Sequence, residues 1–207
     1  WSFDSEREVF SMEELIELFS VEKISKKAAR FSYEKLLWYN TIYLNEKSPV
    51  EKLHLIKPYL LKEAAIKDWT GESEAKLLKL IEVCGDRIKK LPDLVFYAKP
   101  VFNEPESIDE KGEKKFLSSE ENLRTLFTIN SELNKINRTD FVSGRLEGIV
   151  RSITEREGLN PNKIFQAIRL ILTGGLLSAG LFETMEIMGK ETVVYRIEKY
   201  LKGKGIY

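Results

Sequence analysis

The feature that most constrains this chain is the density of its helix start and stop signals. Ser11-Met-Glu-Glu14 is a capping box, in which a serine hydroxyl and a glutamate three residues on satisfy the free N–H groups of a first turn. Ser48-Pro49-Val50-Glu51 repeats the device with proline at the first helical position, and Asn160-Pro161 opens another helix in the same way. Thr70 and Thr139 read as further N-caps, and Gly189 after LFETMEIM as a stop. The apolar spacing agrees. Leu77, Ile81, Cys84, Ile88 and Leu91 recur at intervals of four and three, as do Ile164, Ile168 and Ile171, and Leu146, Ile149, Val150 and Ile153 follow the same helical rhythm. No alternating apolar–polar run is long enough for a strand. The expectation is an all-α chain of about ten helices.

At 207 residues the chain is long enough for one domain or two small ones. A hydrophobic share of 43% beside 32% charged residues is the balance of a globular protein, and no apolar run approaches the ~20 residues of a membrane helix. Nothing at the start resembles a signal peptide, and opening on Trp1 rather than Met predicts a piece of something longer. A single Cys84 excludes an intrachain disulfide framework and fits a reducing cytoplasm.

Lysines and arginines number 33 and so do aspartates and glutamates, which argues against indiscriminate nucleic-acid binding and leaves room for a local basic surface. The charges are segregated. Glu104 to Asn122 carries seven acids against three lysines, whereas Lys199 to Tyr207 carries Lys199, Lys202 and Lys204 with no acid. Internal boundaries are expected near Asn45–Ser48 and Ala98–Asn103, with Asn103 to Ser118 as an exposed loop.

Catalytic chemistry is hard to build from these residues. Lys23-Ile24-Ser25-Lys26-Lys27 reads like the lysine loop with which class I aminoacyl-tRNA synthetases grip ATP. Yet only 22 residues precede Lys23, too few for the parallel α/β fold that loop follows. The companion two-histidine motif is also impossible, because His54 is the single histidine and reads as a helix-face residue. One His and one Cys supply neither a metal cluster nor a hydroxyl–His–carboxylate set. KISKK is therefore expected to be a connector, and no catalytic residue, cofactor site or metal site is assigned to this chain.

Two stretches resemble a known family. FSMEELIELFSVEKISKKAARFSYEKLLWYN is similar to the segment of bacterial glutamyl-tRNA synthetases just after the catalytic body, where a helix and a basic connector precede F-x-x-x-K-L-x-W-x-N. LNPNKIFQAIRLILTGGLLSAGLFETMEIMGKETVVYRIEK resembles their end, where L-R-x-A-L-T-G is followed by P-G-L-F-E and L-G-K-E. PYLLKEA and WTGESEAKLLKLIE fit the middle more loosely, so the match runs in order along essentially the whole chain.

The resemblance implies the two-part, all-α anticodon-binding domain of class I synthetases, preceded by the end of their stem-contact fold. Residues 1–46 would be that end, 47–100 a first helical subdomain and 101–207 a second. It implies tRNA(Glu) and the catalytic domain of the same polypeptide as partners, with no membrane and a monomeric, cytoplasmic protein. ATP and Mg²⁺ would serve only the parent ligase, and the fragment alone would be inactive.

An anticodon is read as splayed single-stranded bases, by stacking and by hydrogen bonds to base edges. The resemblance assigns Arg87 to the third base and Gln166 and Arg169, three apart on one helix face, to the first two. Ser178, Ala179, Leu181 and Phe182 would present backbone and apolar surface, with Phe182 as a stacking platform. Ala179 stands where most relatives carry proline, which predicts a less rigid loop. Lys35 and Trp38 would touch the tRNA between its stems. Without the resemblance, Arg87 reads as an ordinary arginine of a solvated face, and Phe182 and Trp38 fit a core as well. A helical protein-interaction scaffold is the alternative from another class, and a small self-contained enzyme a third.

Overall fold

The computed structural model describes residues 7–24, 28 and 30–206. Among them are eleven α-helices and no strand. They are α1 (Met12–Leu18), α2 (Tyr33–Asn45), α3 (Pro49–Lys62), α4 (Gly71–Cys84), α5 (Leu91–Phe102), α6 (Glu110–Phe116), α7 (Glu120–Lys135), α8 (Ser143–Arg156), α9 (Pro161–Thr173), α10 (Leu181–Met188) and α11 (Lys190–Gly203).

The expected caps close as written. Reciprocal capping boxes join Ser11 to Glu14 and Ser48 to Glu51, and Thr70 caps α4 with Ser73 as its partner. Asn160 Oδ1 accepts from the Asn162 N–H (2.9 Å), and Gly189 ends α10. Thr139 is different. It lies inside a 3₁₀ turn, Arg138–Asp140, and α8 starts only at Ser143. Phe141, 4% exposed, draws the chain into the core between the two, so no helix can run on from Thr139.

The apolar series from Leu77 to Leu91 is likewise split between two helices. Gly85, at φ +48°, breaks it, a 3₁₀ turn follows, and Ile88 is buried between α4 and α5. The segment 103–118 is not simply a loop, because it contains α6, capped by Asp109, whose side chain accepts from the Gly112 N–H (2.6 Å). Its composition is polar because only Gly112 and Phe116 face inward, and α6 seats on α9 through Gly112.

Helices α3, α4 and α5 pack on one another, and α7 packs between α8 and α11. Helix α10 touches α4 and α5 on one side and α8 and α11 on the other. The buried apolar residues consequently form one cluster from Leu44 to Leu201. Arg196 of α11 sits within it, 6% exposed. Its Nη1 donates to Pro100 O (2.6 Å) and Leu172 O (2.7 Å), and its Nη2 donates to Asn103 O (2.9 Å). One guanidinium thereby holds the C-terminal ends of α5 and α9, where carbonyls lack intrahelical partners and the helix dipoles are negative.

Cys84 is fully buried, and burial pushes its thiol up to about 12. The reactive thiolate is then scarce at neutral pH. Native protein is expected to resist a maleimide at pH 7 and to react once urea unfolds it. Rapid native labelling would mean that the α3–α4–α5 core opens readily.

Candidate nucleic-acid interface

Arg87 and Arg169 are far apart in sequence, yet the positive charge of Arg87 is near enough to act on the Arg169 guanidinium. The break at Gly85 turns the chain out of α4 so that Arg87 ends an exposed 3₁₀ turn, with Nη1 donating to Val83 O (3.1 Å). On α9, Ile164, Ile168 and Ile171 are buried, which leaves Gln166 and Arg169 half-buried on the opposite side. Arg169 Nη1 donates to Gln166 Oε1 (2.9 Å), and its Nε donates to Ser178 Oγ (2.9 Å). Burial lowers the pKa of the Arg169 guanidinium, and the like charge of Arg87 lowers it further. Both guanidinium groups are held by neutral partners and, among the described residues, hydrogen-bond to no carboxylate, which leaves their charge available to an acceptor on another molecule.

Gly174, at φ +78°, ends α9 and starts the loop that carries Ser178. Ser178 Oγ donates in turn to Ala179 O (2.7 Å). Ala179, Leu181 and Phe182 are buried, while Leu177 is 74% exposed. The ring expected as a stacking platform is not offered to solvent. Phe182 is 7% exposed and meets the Phe165 ring of α9 edge-on, with centroids 5.0 Å apart. The Arg151 guanidinium lies over the same Phe165 ring at 5.0 Å.

Lys35 and Trp38 lie on α2, which is tied to the Arg87 turn by Asn45 Nδ2 donating to Asp86 Oδ1 (2.7 Å). Lys35 Nζ pairs with Glu8 at 2.5 Å, and Trp38 is 48% exposed rather than core. In the KISKK stretch, Lys23 closes a 3₁₀ turn, while Ser25, Lys26 and Lys27 lie outside the described residues.

The charge segregation of the sequence is undone in space. Lys199 pairs with Glu104 (2.6 Å) and Lys204 with Glu113 (2.9 Å). The basic tail thus serves the acidic segment instead of forming a free phosphate-binding strip. One feature gave no usable signal in the sequence: a cavity of about 390 Å³ between α5 and the 173–179 loop, with the half-exposed Phe96 at its edge. In LPDLVFYAKP that ring reads as ordinary helix core.

A family model described as an anticodon binding domain matches residues 51–201. The chain is 30% identical to a glutamate–tRNA ligase of Thermodesulfovibrio yellowstonii, a match covering 97% of this chain and 42% of that protein. It is 33% identical to the glutamate–tRNA ligase of Geotalea uraniireducens, over 97% of this chain and 41% of the relative. The crystal structure of a glutamate tRNA ligase from Elizabethkingia meningosepticum in complex with its amino acid superposes with a TM-score of 0.83 and 31% identity. That match covers 98% of this chain and 38% of the other. The chain therefore spans about two fifths of the length of the curated relatives it matches.

Proposed function

The chain belongs to the anticodon-binding-domain family, and from that membership we propose that it is the anticodon-reading portion of a glutamate–tRNA ligase, with tRNA(Glu) as its partner. The observation that carries this reading is the half-buried set of Gln166, Arg169 and Ser178, with the charge of the exposed Arg87 near enough to act on Arg169. A guanidinium in a site shielded from water discriminates base edges more strongly than one fully solvated, because its donors have fewer competing partners. Arg87 takes the third anticodon base, and Gln166 and Arg169 take the other two. Ser178 and Ala179 offer backbone groups, and the buried Leu181 and Phe182 support that loop from beneath.

Residues 1–46 end the stem-contact fold, with Lys35 and Trp38 against the tRNA stems, and 47–100 and 101–207 are the two anticodon-binding subdomains. The apolar surface of the first segment supports an intramolecular neighbour. Helix α1 buries no residue, and Met12, Ile16 and Phe31 are 67%, 72% and 76% exposed. Such a face fits the remainder of a ligase, where ATP and Mg²⁺ act and glutamate is joined to the tRNA. Among the described residues no helix is long and apolar enough to cross a membrane. The parent works as a monomer in the cytoplasm.

The test is binding of tRNA(Glu) transcripts at one fixed salt concentration, unmodified against a third-anticodon-base C→G change, since phosphate contacts alone shift affinity with salt. The change is expected to cost about 1–3 kcal/mol, the worth of a bidentate base contact, and Arg87→Ala is expected to abolish that difference. Equal binding of both transcripts by the unmodified protein would refute third-base reading. Absence of binding, with the complete ligase also failing to discriminate, would favour a protein-interaction scaffold.

A further inference from the structure

Phe182 is buried, yet the surface beside Arg169 does carry an exposed ring. Phe96 of α5 is 57% exposed and borders the cavity of about 390 Å³ between α5 and the 173–179 loop. Ser178 belongs to both places, since its Oγ accepts from Arg169 Nε and the same residue lines the cavity. Ser178 therefore places the cavity next to Arg169. Val95, Pro100, Leu177 and Ala179 give the cavity apolar walls. Thr184, 2% exposed, also lines it, and its hydroxyl has no hydrogen-bond partner. A helical threonine ordinarily satisfies that group on the carbonyl four residues back.

The chemistry of the walls selects the occupant. A flat ring beside an apolar slot favours a flat, partly apolar group, and the unpaired hydroxyl favours one with a polar edge. Glu104 and Glu106 also line the cavity, each paired with a lysine (Lys199 at 2.6 Å and Lys99 at 3.9 Å), so its mouth offers no unpaired cation to hold a phosphate. A nucleotide would insert its neutral base and leave its phosphate on the arginine side. We propose that this cavity is a base-binding subsite of the anticodon loop, with Phe96 as the stacking platform and the Thr184 hydroxyl as a hydrogen-bonding group for the base edge. The inference rests on the anticodon reading above and adds residues to it.

The experiment uses the full 207-residue chain and the anticodon stem-loop of tRNA(Glu), carrying a 5-iodopyrimidine at each anticodon position in turn. Irradiation is expected to crosslink one position to Phe96. Phe96→Ala is expected to weaken binding roughly tenfold, as loss of one base–aromatic stack does. Phe96→Tyr is expected to keep both crosslink and affinity. Phe96→Leu retains apolar bulk without the ring, and is expected to melt like the unmodified chain while losing the crosslink and affinity. Unmodified affinity in Phe96→Leu, or no crosslink to Phe96 from any position, would overturn the inference. If Arg87→Ala still relaxed third-base discrimination, the anticodon reading would survive that result. A chain that binds the stem-loop without any base preference would remove both.

Discussion

Arg196→Met is expected to lower the stability of this chain by about 3 kcal/mol, among the largest losses available to a single substitution here. The side chain donates to Pro100 O, Asn103 O and Leu172 O, all at or beside the C-terminal ends of α5 and α9. These carbonyls belong to the last turns, which find no donor within their own helices. Methionine would fill similar space and leave them buried without a partner, at roughly 1–3 kcal/mol for each group fully stranded. The cost of desolvating the guanidinium offsets part of that sum. Burial, the first cause of the lowered Arg196 pKa, is the mark of that cost. Urea unfolding is the measurement, with a lower midpoint and an unchanged slope expected. Arg196→Lys should fall between the two, because one ammonium cannot span three acceptors in the fork geometry. A loss below about 1 kcal/mol for the methionine variant would mean that water reaches the carbonyls.

Gly174→Ala is the second large effect, and it acts closer to the candidate site. The residue sits at φ +78°, which costs an L-residue about 1–2 kcal/mol. A methyl group there would also lie 2.6 Å from Ser107 O and 2.9 Å from Pro105 Cβ. Ser107 O is backbone and cannot rotate aside, and the strap formed by residues 105–109 is held nearby by the Asp109 N–H donating to Gly174 O (2.8 Å). The strap and the start of the Ser178 loop must therefore separate. A destabilisation of about 2–3 kcal/mol is expected in urea unfolding, together with weaker discrimination between anticodon variants. Gly175→Ala is the internal control, since a methyl group there meets nothing within 4 Å. Gly→Ala by itself stabilises by restricting the unfolded chain, so equal losses at 174 and 175 would show that neither the close approach nor the left-handed backbone at 174 is responsible.

Much of the fold could be read from the chain because capping is local chemistry. Ser11, Ser48, Thr70 and Asn160 act on N–H groups two or three residues away, so their roles are visible without knowing any distant contact. Thr139 misled because the cap it resembled was overridden by the burial of Phe141, a tertiary demand. Helix α3 closes on Ala64 at φ +48°, with Ala65 N–H reaching back to Leu60 O. That stop was invisible because the residue usual at such a position is glycine. Helix α6 hid for another reason: a short helix seated through a glycine shows almost no apolar stripe.

The candidate site divides along the same line. The sequence by itself determined the helical class, most helix starts, the lack of a catalytic set and the residue types suited to reading bases. The tertiary structure decided which of those residues meet. Arg87 and Arg169 lie 82 positions apart in the chain, and only the turn at Gly85 and the packing of α10 against both α4–α5 and α8–α11 bring their charges together. It also decided which ring faces solvent, burying Phe182 against Phe165 and leaving Phe96 exposed beside the 173–179 loop. Local hydrogen bonds are written in neighbouring residues, whereas exposure and long-range proximity depend on how whole helices share one core. A periodic pattern names the face that is buried but not what the opposite face will meet.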